Sequence, residues 1–183
     1  MSSQLTIAFL RAINIGTRRM KMEALRLPFV QLGLLDVETF IASGNVLFQT
    51  PSTPYHILEQ QIEQQLKQTF GYEVDTFLRS LDEVVELANY HPFPEALEQP
   101  DQAIVAVAFT RHELQEQHSE ALAALNNPLD ALHTRGRDFY WMRRPPFQQS
   151  KLSNARFERL LKQPLTIRNQ STLQNIAKKY YKS

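Results

Sequence analysis

Thr6-Ile-Ala-Phe-Leu-Arg-Ala-Ile-Asn-Ile-Gly16 and Ile41-Ala-Ser-Gly-Asn-Val-Leu-Phe48 decide how this chain reads. Each couples an apolar strand to a small polar cluster: Arg11, Asn14 and Gly16 after the first, Ser43, Gly44 and Asn45 before the second. Between them, residues 21–33 carry helical periodicity through Met22, Leu25, Phe29 and Leu32, with Gly33 as a C-cap and Pro28 as a residue that should kink or shorten the helix. Strands over 37–42 and 46–49 flank the turn-forming Ser43-Gly-Asn45, a helix over 54–70 stops at Gly71, and a strand follows over 74–78.

That order is β-α-β-β-α-β, and the chain repeats it. After a connecting helix (81–90) and a proline-rich loop (91–100) come a strand (103–109), a helix (112–125) and a short strand (131–134). A hairpin strand (138–143), a helix (151–162), a strand (165–168) and a last helix (172–180) complete the series. The expectation is an α+β tandem duplication of ferredoxin-like units with an extra connecting helix and a C-terminal helix. The first repeat and connector occupy 1–90 and the second repeat 101–183. No residue-level self-similarity accompanies the repeated order. The first strand of each repeat is a nearly continuous apolar run, which implies cover on both faces and moves the search for function to strand ends and loops.

Composition narrows the classes. With 183 residues and 43% hydrophobic content, a packed core is expected. A net charge of +1 argues against wholesale electrostatic binding of nucleic acid, so any such role needs a local patch. The absence of cysteine excludes disulfides and thiol chemistry and fits a reducing compartment. The opening Met1-Ser-Ser-Gln has no signal-peptide character, and no apolar run approaches the roughly 18 residues a membrane helix needs. A cytoplasmic protein is expected. His56, His91, His112, His118 and His133 have no metal-ligand spacing, and neither common nucleotide-binding loop occurs, so no metal and no cofactor are expected.

In a split βαβ unit, the loop after the first strand and the hairpin between the second and third strands share one sheet end. Arg11, Asn14 and Gly16 should therefore lie beside Ser43, Gly44 and Asn45, with Arg18, Arg19 and Lys21 nearby. Glycines, helix-start N–H groups and arginine forks suit an anion, although the same residues also make ordinary turns and solvated faces. A second cluster joins Arg143-Arg144, Ser150-Lys-Leu-Ser153 and Thr166-Ile-Arg-Asn169. There Ser150 or Ser153 should cap a helix, with Lys151, Arg168 and Asn169 beside it. Asp82, Glu83 and Glu86 read as a solvated helix face, and Phe9 and Phe48 as core, not as RNA-stacking aromatics.

These motifs resemble the bacterial family called domain of unknown function 1697. The matching residues are Leu10, Arg11, Ile13, Asn14 and Gly16, then Ser43, Gly44, Asn45 and Val46, then Ser150, Lys151, Leu152, Arg168 and Asn169. Ala12 and Thr17 stand where the family prefers glycine, and Gln170 where it has tryptophan. The resemblance implies the duplicated fold and no agreed activity. The departures imply a stiffer first loop and the loss of a stacking surface at Gln170. Three readings follow: a binder of a phosphate- or carboxylate-bearing small molecule, with nucleic acid less favoured; an enzyme on such a ligand, with Lys151 or Arg11 stabilising charge and Ser43 as nucleophile; or a structural or regulatory module pairing through sheet edges.

Overall fold

The computed structural model describes residues 4–13, 20–41, 44–50, 53–98 and 100–181. The chain forms two compact units, one holding residues up to Val84 and from Tyr180 on, the other Val85–Lys179.

The first unit runs β1 (Gln4–Leu10), α1 (Met22–Gln31), β2 (Leu35–Thr39), β3 (Asn45–Thr50), α2 (Tyr55–Phe70) and β4 (Thr76–Ser80). Its sheet is antiparallel throughout in the order β2-β3-β1-β4, with Phe9 opposite both Asn45 and Phe77. The end of β1, the β2–β3 hairpin and the start of β4 therefore share one sheet end. One face of the sheet (Ala8, Leu10, Val46, Phe48, Leu78) packs with Leu25 and Phe29 of α1 and Leu58, Ile62 and Leu66 of α2. Each of those leucines contributes on the order of 2 kcal/mol by leaving water. The alternate row, Ile7, Phe9, Leu47 and Phe77, is also buried, as the unbroken apolar run of β1 required.

Local chemistry explains the element ends. At the close of α1, Gly33 takes φ +76° and donates to Val30 O at 2.9 Å, while Leu34 N–H reaches Phe29 O at 3.2 Å, a Schellman ending. Gly71 ends α2 in the same left-handed way, at φ +79°. Pro28 lies inside α1, where it forfeits one helical donor. Ser80-Leu-Asp-Glu83 forms a reciprocal capping box: Ser80 N–H donates to Glu83 Oε2 at 2.7 Å, and Glu83 N–H to Ser80 Oγ at 3.1 Å. Glu83 is thus a cap as well as part of a solvated acidic face.

That box opens α3 (Leu81–Asn89), after which come α4 (Pro94–Glu98), β5 (Ile104–Thr110), α5 (Glu116–Ala123), β6 (Asp130–Arg135), β7 (Asp138–Arg143), α6 (Asn154–Leu161), β8 (Leu165–Asn169) and α7 (Gln170–Tyr180). The second sheet is again antiparallel, in the order β6-β7-β5-β8. Its core gathers Ala108, Phe139 and Trp141 with Leu122 of α5 and Phe157 and Leu161 of α6.

The unit division falls inside α3, ahead of the 91–100 connector. The later part of α3 is tied into the second unit, since Leu87 O accepts from Tyr140 Oη at 2.9 Å and from Gln170 Nε2 at 3.2 Å. The connector itself holds the short helix α4, begun by Pro94, a residue suited to a first helical position.

The repeat does leave a residue-level trace. Arg79 and Arg168 hold the same place in the last strand of each sheet, opposite Ile7 and Val107. Both are buried, and each donates from Nη1 to the preceding carbonyl, Leu78 O at 2.7 Å and Ile167 O at 2.9 Å.

Candidate functional site

At the sheet end of the first unit, Leu10 N–H donates to Gly44 O at 2.9 Å, so the β1 exit and the hairpin do meet. Gly44 is required there. Its φ is +74°, and a Cβ would lie 2.6 Å from Ile13 Cγ2. Asn14, Gly16, Arg18, Arg19 and Ser43 lie outside the described residues. Of the remaining candidates, Asn45 is fully buried and its Nδ2 donates to Phe40 O at 3.0 Å, closing the hairpin. The Arg11 guanidinium pairs with Asp75 at 3.4 Å, and its backbone N–H with Asp75 O at 2.9 Å. Ala12 adopts φ +58°, a left-handed conformation that explains a family preference for glycine at this place.

The second cluster separates into distinct places. Arg168 is buried, with Nη1 donating to Thr166 Oγ1 at 2.8 Å, and burial lowers the pKa of its guanidinium to about 10. It is a strand-core residue, not a flank of the α6 start. Asn169 is exposed beside Ile104, Gln170 and Gln174, away from the residues that surround Lys151. The reason is sheet order: β5 intervenes between β7 and β8, which puts their exits roughly 10 Å apart. Arg143 lies over the Trp141 ring at 4.6 Å, and Arg144 pairs with Glu95 at 2.8 Å.

What the structure does assemble is a groove of about 400 Å³ at the start of α6, lined by Lys151, Arg156, Gln149, Asn126, Asn127 and Asp130 with Ala124, Leu125, Leu129 and Leu152. Asp130 organises it. Its buried carboxylate accepts Trp141 Nε1 and Ser150 Oγ on Oδ1, both at 2.8 Å, and Asn127 Nδ2 on Oδ2 at 3.1 Å. Ser150 Oγ also accepts Leu152 N–H at 3.2 Å, so this serine is a turn lock that fixes where Lys151 departs. Ser153, not Ser150, caps α6, accepting Arg156 N–H at 3.3 Å.

Lys151 and Arg156 make no ion pair among the described residues. Glu158, a natural compensating carboxylate, instead receives Leu165 N–H at 3.2 Å at the other end of the helix. Asn126 spends Oδ1 on Leu132 N–H at 2.7 Å, and its Nδ2 donors have no partner among the described residues. The N–H groups of Asn154 and Ala155 lack helical acceptors, whereas that of Arg156 is taken by Ser153, and the helix dipole adds partial positive charge. Two cations and an amide donor thus line one concavity beside a helix start. Arg156, Asn126, Asn127 and Gln149 were not candidates on sequence grounds. The Asn126-Asn-Pro128 turn and the position of Arg156 one turn into the helix were the available signals.

Among the described residues no cluster of three or more metal-ligating side chains occurs, and no helix is long and apolar enough to cross a membrane. Phe9 and Phe48 are fully buried, which removes the stacking platform an RNA-recognition sheet would need.

Two antiparallel four-stranded sheets with their helices, in two similar halves, define a mixed α+β protein. The chain belongs to the family described as protein of unknown function (DUF1697), whose model matches residues 4–140. The Ser150–Asn169 motifs lie beyond the matched part. A conserved bacterial protein from Streptococcus pneumoniae has a similar structure, with a TM-score of 0.74 at 24% identity over 99% of this chain and 100% of that one. At that identity the likeness concerns the fold. A search among curated proteins found no match.

Proposed function

We propose that this protein binds an anionic small molecule, phosphate- or carboxylate-bearing, in the groove at the start of α6. Lys151 and Arg156 supply charge, and Asn126, Gln149 and the first α6 N–H groups supply hydrogen bonds. The observation that carries the reading is that two cations line one groove with no carboxylate paired to either among the described residues. Asp130 does not neutralise them through a direct bond, because its oxygens face Trp141, Ser150 and Asn127. Arg11 and Asn45 stand outside the proposed site, since each is engaged in the first unit's own architecture.

In the same reading each half is a ferredoxin-like unit, supported by the repeated β-α-β-β-α-β order and by sheet orders that correspond strand for strand. A cytoplasmic location is part of the proposal and rests on the lack of cysteine. Binding rather than catalysis is favoured, because Ser150, the hydroxyl nearest Lys151 in sequence, is committed to Asp130 and Leu152.

Thermal unfolding with phosphate or sulfate, against chloride at matched ionic strength, tests the reading. A ligand at ten times its Kd stabilises by about 1.4 kcal/mol. For a chain of this size that is a rise of roughly 3–6 °C in Tm. The wild type should show this excess over chloride and Lys151→Ala should lose it. Equal responses of both proteins to all three salts would refute the site.

A further inference from the structure

We infer that the ligand of the α6 groove is not a bare oxyanion but a small phosphomonoester whose organic part is apolar or flat. This inference rests on the anion-binding reading above and deepens it. About 400 Å³ falls within the roughly 300–1,000 Å³ typical of organic-ligand sites. A four-oxygen anion displaces only a few waters of about 30 Å³ each, so it would occupy a fraction of that space.

The lining also mixes charge with apolar surface: Lys151, Arg156 and Asn126 share it with Leu125, Leu129 and Leu152. Leu152 is largely buried and belongs to the second unit's core, so its position is fixed; Leu125 packs against the same cluster. Leu129 is held by its backbone, with its N–H on Asn127 Oδ1 at 2.8 Å and its carbonyl accepting Arg144 N–H at 2.8 Å. A phosphoryl group set against the cations and α6 N–H groups leaves the rest of the molecule against these leucines. A doubly charged phosphoryl group suits two cations better than a single carboxylate does. A groove of this volume suits a compact body, one ring or a short chain.

Calorimetric titration of the full-length protein with inorganic phosphate and with phenyl phosphate, at constant ionic strength in chloride, tests this. Removing one face of a phenyl ring from water should make phenyl phosphate at least about tenfold tighter than phosphate. Leu129→Ala keeps the backbone bonds and should cut that ratio several-fold. Leu125→Ala offers the same reading should Leu129→Ala lose its fold by circular dichroism. Lys151→Ala should weaken both ligands together. Equal affinities of the two ligands for wild type would overturn the inference and leave the anion reading standing. Equal losses for both ligands in the leucine variants would overturn it as well. If neither ligand binds the wild type above the chloride background, the anion reading itself fails.

Discussion

The sheet end of the first unit and the α6 groove of the second contain the same kinds of residue: a basic side chain, asparagines, and turn residues beside a strand or helix end. Their environments differ. Arg11 faces a carboxylate, Asp75 at 3.4 Å, and Asn45 is sealed inside the hairpin it closes. Lys151 and Arg156 have no ion-pair partner among the described residues, and the Asp130 carboxylate in their groove is turned toward neutral donors. A basic strand-end cluster becomes a binding candidate through the partners it lacks, and that property belongs to tertiary structure. Among the described residues, the first end commits Asn45 to its hairpin and Arg11 to Asp75. The second commits Asp130, Ser150 and Asn127 to a frame and leaves the charges open.

The largest break in this contrast should come from Gly44→Ala. A Cβ 2.6 Å from Ile13 Cγ2 at φ +74° adds a steric clash to left-handed strain, and urea unfolding should show a loss of about 3 kcal/mol or more. Phosphate binding per folded molecule should be unchanged. Asp130→Ala should cost about 3 kcal/mol, because the Trp141 Nε1–H and Ser150 hydroxyl lose a buried acceptor. It should also weaken phosphate several-fold, because the frame that fixes where Lys151 departs is lost.

Tyr140 gives a pH test within the second unit. Burial pushes its phenol above the ordinary value near 10. A group whose folded pKa is raised contributes stability that is complete below the unfolded value and lost as pH rises past it. Wild-type stability should therefore decline from about pH 10 upward through this group. Tyr140→Phe should flatten that decline while losing about 1 kcal/mol at neutral pH with the bond to Leu87 O. An unchanged alkaline limb in urea titrations would contradict the burial argument. Arg11→Ala should cost less than about 0.5 kcal/mol, since its pairing with Asp75 is more than a third exposed, and should leave the phosphate response intact. The smallest effect is Ala12→Gly, a gain of a few tenths of a kcal/mol, roughly the relieved positive φ less the entropy of glycine, again read by urea unfolding.

Much of the fold was readable from local signals. Gly33 and Gly71 marked helix ends, and Asp138–Arg143 is a strand with the bounds its pattern gives. Other strands shifted by one to three residues, because pairing sets their ends: β3 begins at Asn45, which the hairpin recruits. The Ser80–Glu83 box is written in the chain as a Ser-x-x-Glu pattern, and the Pro94 helix start as a proline at a first helical position; both are local signals that the strand-and-loop reading passes over. Gln170 shows the limit of local reading. Its apparent role as a missing stacking surface gives way to a buried amide that donates to Leu87 O, Ala88 O and Tyr90 O, at 3.2, 3.3 and 2.8 Å, capping the end of α3. Those acceptors lie some eighty residues away in sequence. Of the candidate site, Lys151 and the Ser150 segment were readable because they precede a helix. Arg168 was not, since the register that buries it depends on β5. Asn126 and Gln149 join Lys151 only through folding of the β6 and β7 ends.

The most direct measurement is a ¹H–¹⁵N correlation titration of the full-length protein with phosphate at constant ionic strength. Saturable shifts are expected on the amides of Lys151, Asn154, Ala155 and Arg156 and on the side-chain amides of Asn126 and Gln149, with Leu10, Arg11, Gly44 and Asn45 unmoved. Saturable shifts centred instead on Arg11 and Gly44, or only weak linear drifts across the surface, would contradict it.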